Sequence, residues 1–239
     1  MSKEIPSIQD RRRKLIQKRR ERERSQRIQS ILDAAKQIFY SKGYIKATMD
    51  EIALEAEISK PTIYTYFKTK DDLFFSLMLP VVEDIGTQLA AIEIALAGNR
   101  YESGGSLIRS LFERLLQTYE KEPVTFGIVQ LFQQTGLVWE LNPEIQLALN
   151  NKGRRNFETM RRILRSAIKQ GLLRKSNVYQ LGDVIWGTFV GIVQLEAIKS
   201  QHRKKNTFLK PALRLAQRII VDGTAPARGS QEAHGGRLP

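Results

Sequence analysis

The chain of 239 residues contains no cysteine and only two histidines, His202 and His234. The first absence removes disulfides, thiolate metal sites and thiol redox chemistry, and it suits a reducing compartment. The two histidines lie far apart in sequence, so no histidine-rich metal constellation is visible. No glycine-rich phosphate loop is visible, and no alternating apolar–polar run is long enough for a strand. There is no cysteine nucleophile, no usable histidine pair and no serine with a plausible histidine partner, so no catalytic reading stands out. The acidic pair Asp71–Asp72 stands at the start of a helical stretch, where helix capping accounts for it. An enzyme is therefore not expected, nor a cofactor or a metal. The N-terminus lacks the apolar stretch of a signal peptide. The most apolar run, Val184 to Val193, is too short to span a bilayer. These absences describe a soluble, cytoplasmic chain.

Acidic residues are also scarce. Lys and Arg number 39 against 25 Asp and Glu, a formal net charge of +14 with a pI of about 10.1. Such a balance points to a polyanionic partner. Residues 1–27 alone hold eleven Lys/Arg against four Asp/Glu, half of the excess. In RRRKLIQKRRERER only Leu15 and Ile16 interrupt the charge, so this stretch has no face to bury. Two readings of the arm, residues 1–24, remain open. It lies along phosphates or in a minor groove, or it is a solvated tail that raises non-specific affinity. Pairs such as Arg19–Glu23 at i,i+4 would let it extend the next helix.

What the chain does have is organised around TMDEIALEAEISKPTIYTYF, from Thr48 to Phe67. Thr48 with Glu51 three residues later is a capping box. Ile52, Ala53 and Ala56 then share one helical face. Ser59 starts a second short helix, and Pro61 is tolerated in its first turn because that N–H would be unpaired in any case. The outward positions of this second helix carry Lys60, Thr62, Tyr64 and Tyr66, groups able to bond phosphates and base edges. Two short capped helices with a tight joint make a helix-turn-helix. An earlier helix, Ser25 to Ser41, repeats Ile28, Ile31, Leu32, Ala35, Ile38 and Phe39 at helical spacing and stops near Gly43. Phe39, Ile45, Met49, Ile52, Ile58, Ile63 and Phe67 are the expected core.

Together with ILDAAKQIFYSKGY before it and FKTKDDLF after it, the motif resembles the DNA-binding domain of the TetR family of bacterial transcriptional regulators. The resemblance covers Arg27 to about Leu77. One departure is Glu57, at a turn position where such motifs often place glycine; a left-handed Glu carries strain, and a slightly remodelled turn is expected. The resemblance implies an all-α chain: a three-helix helix-turn-helix domain, residues 25–79, followed by a helical effector-binding and dimerisation domain, residues 80–223. It also implies DNA contacts by position. Thr48, Tyr64, Tyr66 and Lys70 fall at backbone phosphates. Lys60, Pro61 and Thr62 fall at base edges, with Ser59 at the helix start and Lys68 as an added phosphate contact.

Thr69 and Asp72 cap a further helix that Pro80 either kinks or breaks. Beyond it, helical periods separated by Pro or Gly place helices near 106–121, 124–136, 143–170, 177–200 and 207–222. The aromatics and amides Phe126, Gln130, Phe132, Gln133, Trp139, Phe157, Trp186 and Phe189 are the candidates for an apolar small-molecule pocket. The last two helices, LGDVIWGTFVGIVQLEAI and LKPALRLAQRII, are apolar over a broad stripe. Gly182, Gly187 and Gly191 are candidate points of close approach. The resemblance implies that these helices pair in a homodimer. Residues 224–239 are poor in apolar side chains and are expected to be disordered. The function implied is a ligand-responsive regulator, most often a repressor, that binds palindromic operator DNA as a homodimer. A non-specific nucleoid- or RNA-binding protein and a helical interaction module are the two alternatives.

Overall fold

The computed structural model describes residues 8–200 and 208–226, and every regular element among them is helical. The expected all-α class is what the chain adopts. Two compact units divide between Met78 and Leu79. Of the C-terminal tail, residues 227–239 lie outside the described residues.

The first unit holds α1 (Ile8–Lys46), in which residues 8–24 of the basic arm and the first expected helix are one element; residues 1–7 of the arm lie outside the described residues. Gly43 interrupts it at φ 74° and ψ 164°, a conformation that glycine enters without a Cβ clash. Helices α2 (Met49–Glu55) and α3 (Lys60–Tyr66) follow, and then the start of α4 (Lys70–Ala97). Seven-residue helices are not stable alone in water. Here α2 is held by buried Met49, Ile52 and Ala53, and α3 by Ile63, with Phe67 buried just beyond it. Full burial of one such aliphatic side chain contributes about 1.5–3 kcal/mol. The core is completed by Phe39, Tyr44 and Phe74, whose rings meet at centroid distances of 4.8–5.8 Å. Tyr44 is thus a core residue, whereas Ile45, expected inside, is 66% exposed. The non-helical backbone at Gly43 breaks the helical register, and the side chain turned inward after it is Tyr44. Ile58 is only half-buried.

The second unit holds the rest of α4, then α5 (Gly104–Lys121), α6 (Pro123–Gln134), a 3-10 turn (Leu137–Glu140), α7 (Pro143–Lys169), α8 (Val178–Ser200) and α9 (Leu209–Thr224). Pro80 does not break α4, which continues through it. Phe126 and Phe189 meet edge to face at 6.1 Å, and Phe112 stands 6.2 Å from Phe189. This aromatic column is the centre of the bundle. Gly104 allows the start of α5 to touch the chain after α7: a Cβ there would lie 2.2 Å from the Leu172 carbonyl oxygen. By length and composition, α4 and α8 are each long and apolar enough to cross a membrane. The run Val184–Val193 therefore belongs to a longer apolar helix than its own length suggested. In this unit α8 packs on α7 and α9, with Leu181, Ile185, Phe189 and Val193 buried.

Candidate nucleic-acid interface

The candidate surface is built by hydrogen bonds that the sequence largely specifies. The Glu51 amide donates to Thr48 Oγ1 at 3.2 Å, and the Thr48 amide donates to Glu51 Oε2 at 3.1 Å. The capping box is therefore complete. Glu51 also accepts from Lys42 Nζ at 2.6 Å; this bond first, and the Thr48 amide second, hold its carboxyl below the ordinary glutamate value. As a cap the Thr48 hydroxyl serves as acceptor, which leaves its hydrogen to be donated outward.

The turn after α2 is a Schellman motif. The Glu57 amide donates to Leu54 O at 3.0 Å and the Ile58 amide to Ala53 O at 2.9 Å. Glu57 occupies the left-handed position at φ 52°. The expected remodelling does not occur: the turn keeps its hydrogen bonds and Glu accepts the backbone conformation usually given to glycine.

Ser59 then caps α3, accepting from the Thr62 amide at 3.4 Å and sharing a 2.7 Å bond with the Thr62 hydroxyl. Lys60, Pro61 and Tyr64 are exposed, while Thr62 and Tyr66 are half-buried. Lys60 Nζ donates to Asp50 Oδ2 at 2.8 Å across the two helices, which raises its pKa above the ordinary lysine value. Both partners are more than half exposed, so the pair is readily exchanged for a stronger acceptor. The Arg24 guanidinium lies over the Tyr66 ring at 5.6 Å, a contact from the arm to the end of α3.

Thr69 and Asp72 cap α4 reciprocally, with amide bonds of 3.1 and 3.0 Å. Lys68 beside them is exposed. Lys70 is placed differently. Its ammonium donates to the carbonyls of Tyr44 (2.8 Å), Ala47 (3.0 Å) and Ile45 (3.3 Å) and sits 4.4 Å above the Tyr44 ring. Burial pushes its pKa below the ordinary lysine value, with Asp71 acting in the opposite sense. The Tyr44 hydroxyl in turn donates to Asp71. Lys70, read in the sequence as a phosphate contact, closes the end of α1 in this structure. Sequence reasoning gives Tyr44 no role and explains Asp71 only as a helix-start carboxylate; the Gly-Tyr and Lys-Asp pairs give no sign of meeting.

In the second unit the candidate pocket residues separate. Gln133, Phe157 and Trp186 line one cleft with Val82, Ile85 and Asn156, of about 40 Å³. Phe126, Phe132 and Phe189 are buried in the packed core. Trp139, 71% exposed on the 3-10 turn, stands away from the cleft. Gln130 is buried, and its Nε2 has no hydrogen-bond partner among the described residues. Asn156 was missed. Its Nδ2 donates to Val82 O at 2.9 Å, and its Oδ1 fills the space that a Cβ at Gly86 would need. Among the described residues no group of three or more His, Asp or Glu could hold a metal ion.

Residues 31–77 match the model of the family described as bacterial regulatory proteins, tetR family. The transcriptional activator FasR of Mycolicibacterium smegmatis is 37% identical over 62 residues, which cover 26% of this chain and 28% of that protein. The transcriptional repressor BepR of Brucella suis is 30% identical over 125 residues, 49% of this chain and 54% of its own. The chain thus spans roughly a quarter to a half of the length of these curated relatives. Among solved structures, the transcriptional regulator FadR of Bacillus subtilis in complex with stearoyl-CoA superposes with a TM-score of 0.60 at 20% identity, covering 82% of this chain and 98% of that one. That likeness shows a shared helical fold.

Proposed function

We propose, for a chain whose residues 31–77 belong to the tetR family of bacterial regulatory proteins, a ligand-responsive transcription regulator that binds palindromic operator DNA as a homodimer. The observation that carries the reading is the α2–α3 pair: two capped helices, a hydrogen-bonded turn, and an outward row of Lys60, Pro61, Thr62 and Tyr64. In a major groove Lys60 exchanges Asp50 for guanine O6/N7, and Pro61 or the Thr62 methyl meets a thymine methyl. Thr48, Ser59, Tyr64, Tyr66 and Lys68 position the helix through phosphates. One such helix reads few base pairs, so two half-sites and a two-fold dimer are required.

The dimer face is assigned to α8 and α9. On α8, Val184, Leu195 and Ile198 are exposed in one line with Gly187 and Gly191. A Cβ at either glycine would meet nothing within 4 Å, so these two serve no close approach within the protomer. Leu215 and Ile219 on α9 are exposed at i,i+4.

The effector is proposed to be a fatty acyl-CoA, bound at the Gln133–Phe157–Trp186 cleft. The relevant support is the neighbour solved with stearoyl-CoA and an apolar lining with two amides. At about 40 Å³ the cleft is far below the roughly 300–1,000 Å³ of a ligand site. An acyl chain therefore enters only as the cleft opens, and it shifts DNA affinity by preferring the open state. Repression relieved by the ligand is the proposed outcome, acting in the cytoplasm on nucleoid DNA.

The test is selection of bound duplexes from random and genomic pools at moderate salt. A palindrome with half-sites about 10 base pairs apart is the expected product. Unrelated sequences would remove the operator model and favour non-specific coating. Thermal melting with acyl-CoAs of graded chain length then tests the effector, since a ligand at 100 times its Kd adds about 2.7 kcal/mol; no shift at any length would remove that class.

A further inference from the structure

From residue 8 onward the arm is a helix, and this decides how it meets DNA. Residues 9–27 are all exposed, yet they continue α1 without interruption. An exposed helix with no buried face is held by its junction with the core and by pairs such as Arg19–Glu23 at 2.8 Å. Its span from residue 8 to residue 27 is about 28 Å, the length of about eight base pairs of duplex. A helix of about 10–12 Å diameter does not enter a minor groove about 6 Å wide. The minor-groove reading of the arm is incompatible with this form.

The arm also has a direction. Arg13, Arg20 and Arg24 continue, at helical spacing, the line that Ile31 and Ala35 occupy in the core. That line faces the rest of the helix-turn-helix unit, and Arg24 on it reaches the Tyr66 ring at the end of α3. The arm therefore leaves the unit beside the helix that reads bases, with an arginine edge turned to the same side.

From this we infer that residues 8–24 form a rigid phosphate-contacting rod, which extends each protomer's footprint onto the duplex flanking its half-site. The inference rests on the DNA-binding role proposed above. Arg13 and Arg20 contact flanking phosphates, and Arg24 on Tyr66 fixes the rod's angle. Sequence choice stays with α3; the rod adds affinity that depends on flank length and salt.

The experiment uses the full chain and a selected palindrome in two duplexes, one trimmed flush with the half-sites and one with about ten extra base pairs at each end. The unaltered chain is expected to bind the flanked duplex about tenfold more tightly near physiological salt, with a steeper salt dependence. The double variant Arg13→Ala/Arg20→Ala loses that difference, and its slope on the flanked duplex falls by about 0.9 for each contact removed. Gln26→Pro changes no charge but interrupts the helix between arm and core; it is expected to lose the difference as well. Equal binding of both duplexes by the unaltered chain overturns the rod while leaving the reading motif intact. Retention of the full flank effect by Gln26→Pro overturns rigidity, because a flexible polycation would then suffice. Failure of the unaltered chain to bind even the flush duplex sinks the operator reading, and the rod with it.

Discussion

Two lysines that look alike in the sequence are placed in opposite ways. Lys60 holds one exposed carboxylate, from which a phosphate or a guanine can displace it. Lys70 has three carbonyls and an aromatic face, and those carbonyls belong to the end of α1, where backbone acceptors would otherwise lack donors. Lys70→Met should therefore lower unfolding free energy by about 2 kcal/mol, the scale of hydrogen bonds to a charged group. Urea unfolding without DNA measures this. Lys60→Ala should leave the urea midpoint unchanged and instead relax base preference in the selection, with little effect on random duplex. A Lys70→Met protein of full stability and uniformly weaker DNA binding would return Lys70 to the phosphates. Glu57 carries a related lesson. Its identity argues against a left-handed turn, but the two Schellman bonds and the capped helices on either side over-determine the backbone, and about 1–2 kcal/mol of strain is tolerated.

At the scale of elements, α4 combines an internal proline with polar ties to α5 and α7. Asp84 bonds Thr118 and Lys121 on α5, and Arg162 of α7 makes a two-pronged pair with Glu93 at 2.7 and 3.0 Å. Burial raises the Asp84 pKa, but the bonds from Lys121 and Thr118 outweigh it and the net shift is downward. Pro80 has no amide to offer the Ser76 carbonyl, yet the helix runs through. Interior proline costs a helix about 3 kcal/mol. Pro80→Ala should thus raise the melting temperature, and if α4 carries the effector signal it should also weaken the ligand's effect on DNA binding. A variant melting no higher than the parent would mean that the helix is already relaxed at this point. The sequence made these elements legible because caps, periodicity and Pro/Gly punctuation are local. Helix ends were read to within about two residues from α5 onward. What stayed hidden was non-local: that Gly43 turns Tyr44 rather than Ile45 inward, that Lys70 reaches back to α1, and that Asn156 rather than Trp139 joins the cleft. None of these has a signature within one turn of helix.

For the whole molecule, the proposed homodimer makes the coupling between two copies the decisive quantity. An isolated α3 offers too few contacts for specific binding, whereas two linked half-sites turn the second contact into an intramolecular event and raise affinity by about 10²–10⁴. The proposed seam on α8 and α9 leaves Leu195, Ile198 and Ile219 57–64% exposed in one protomer, an apolar area that water would wet at about 25 cal/mol per Å². Placing a carboxylate there should separate the protomers without disturbing either core, since these side chains already lie outside it. Leu195→Glu with Ile219→Glu is therefore expected to sediment as a monomer at concentrations where the parent is a dimer. Its affinity for a selected palindrome should fall at least about 100-fold, towards that of the parent for a single half-site. Its far-ultraviolet helical signal should stay the same. A variant that still sediments as a dimer would move the interface elsewhere. A monomer that kept full affinity would break the link between dimerisation and reading, and with it the reason for a palindromic operator.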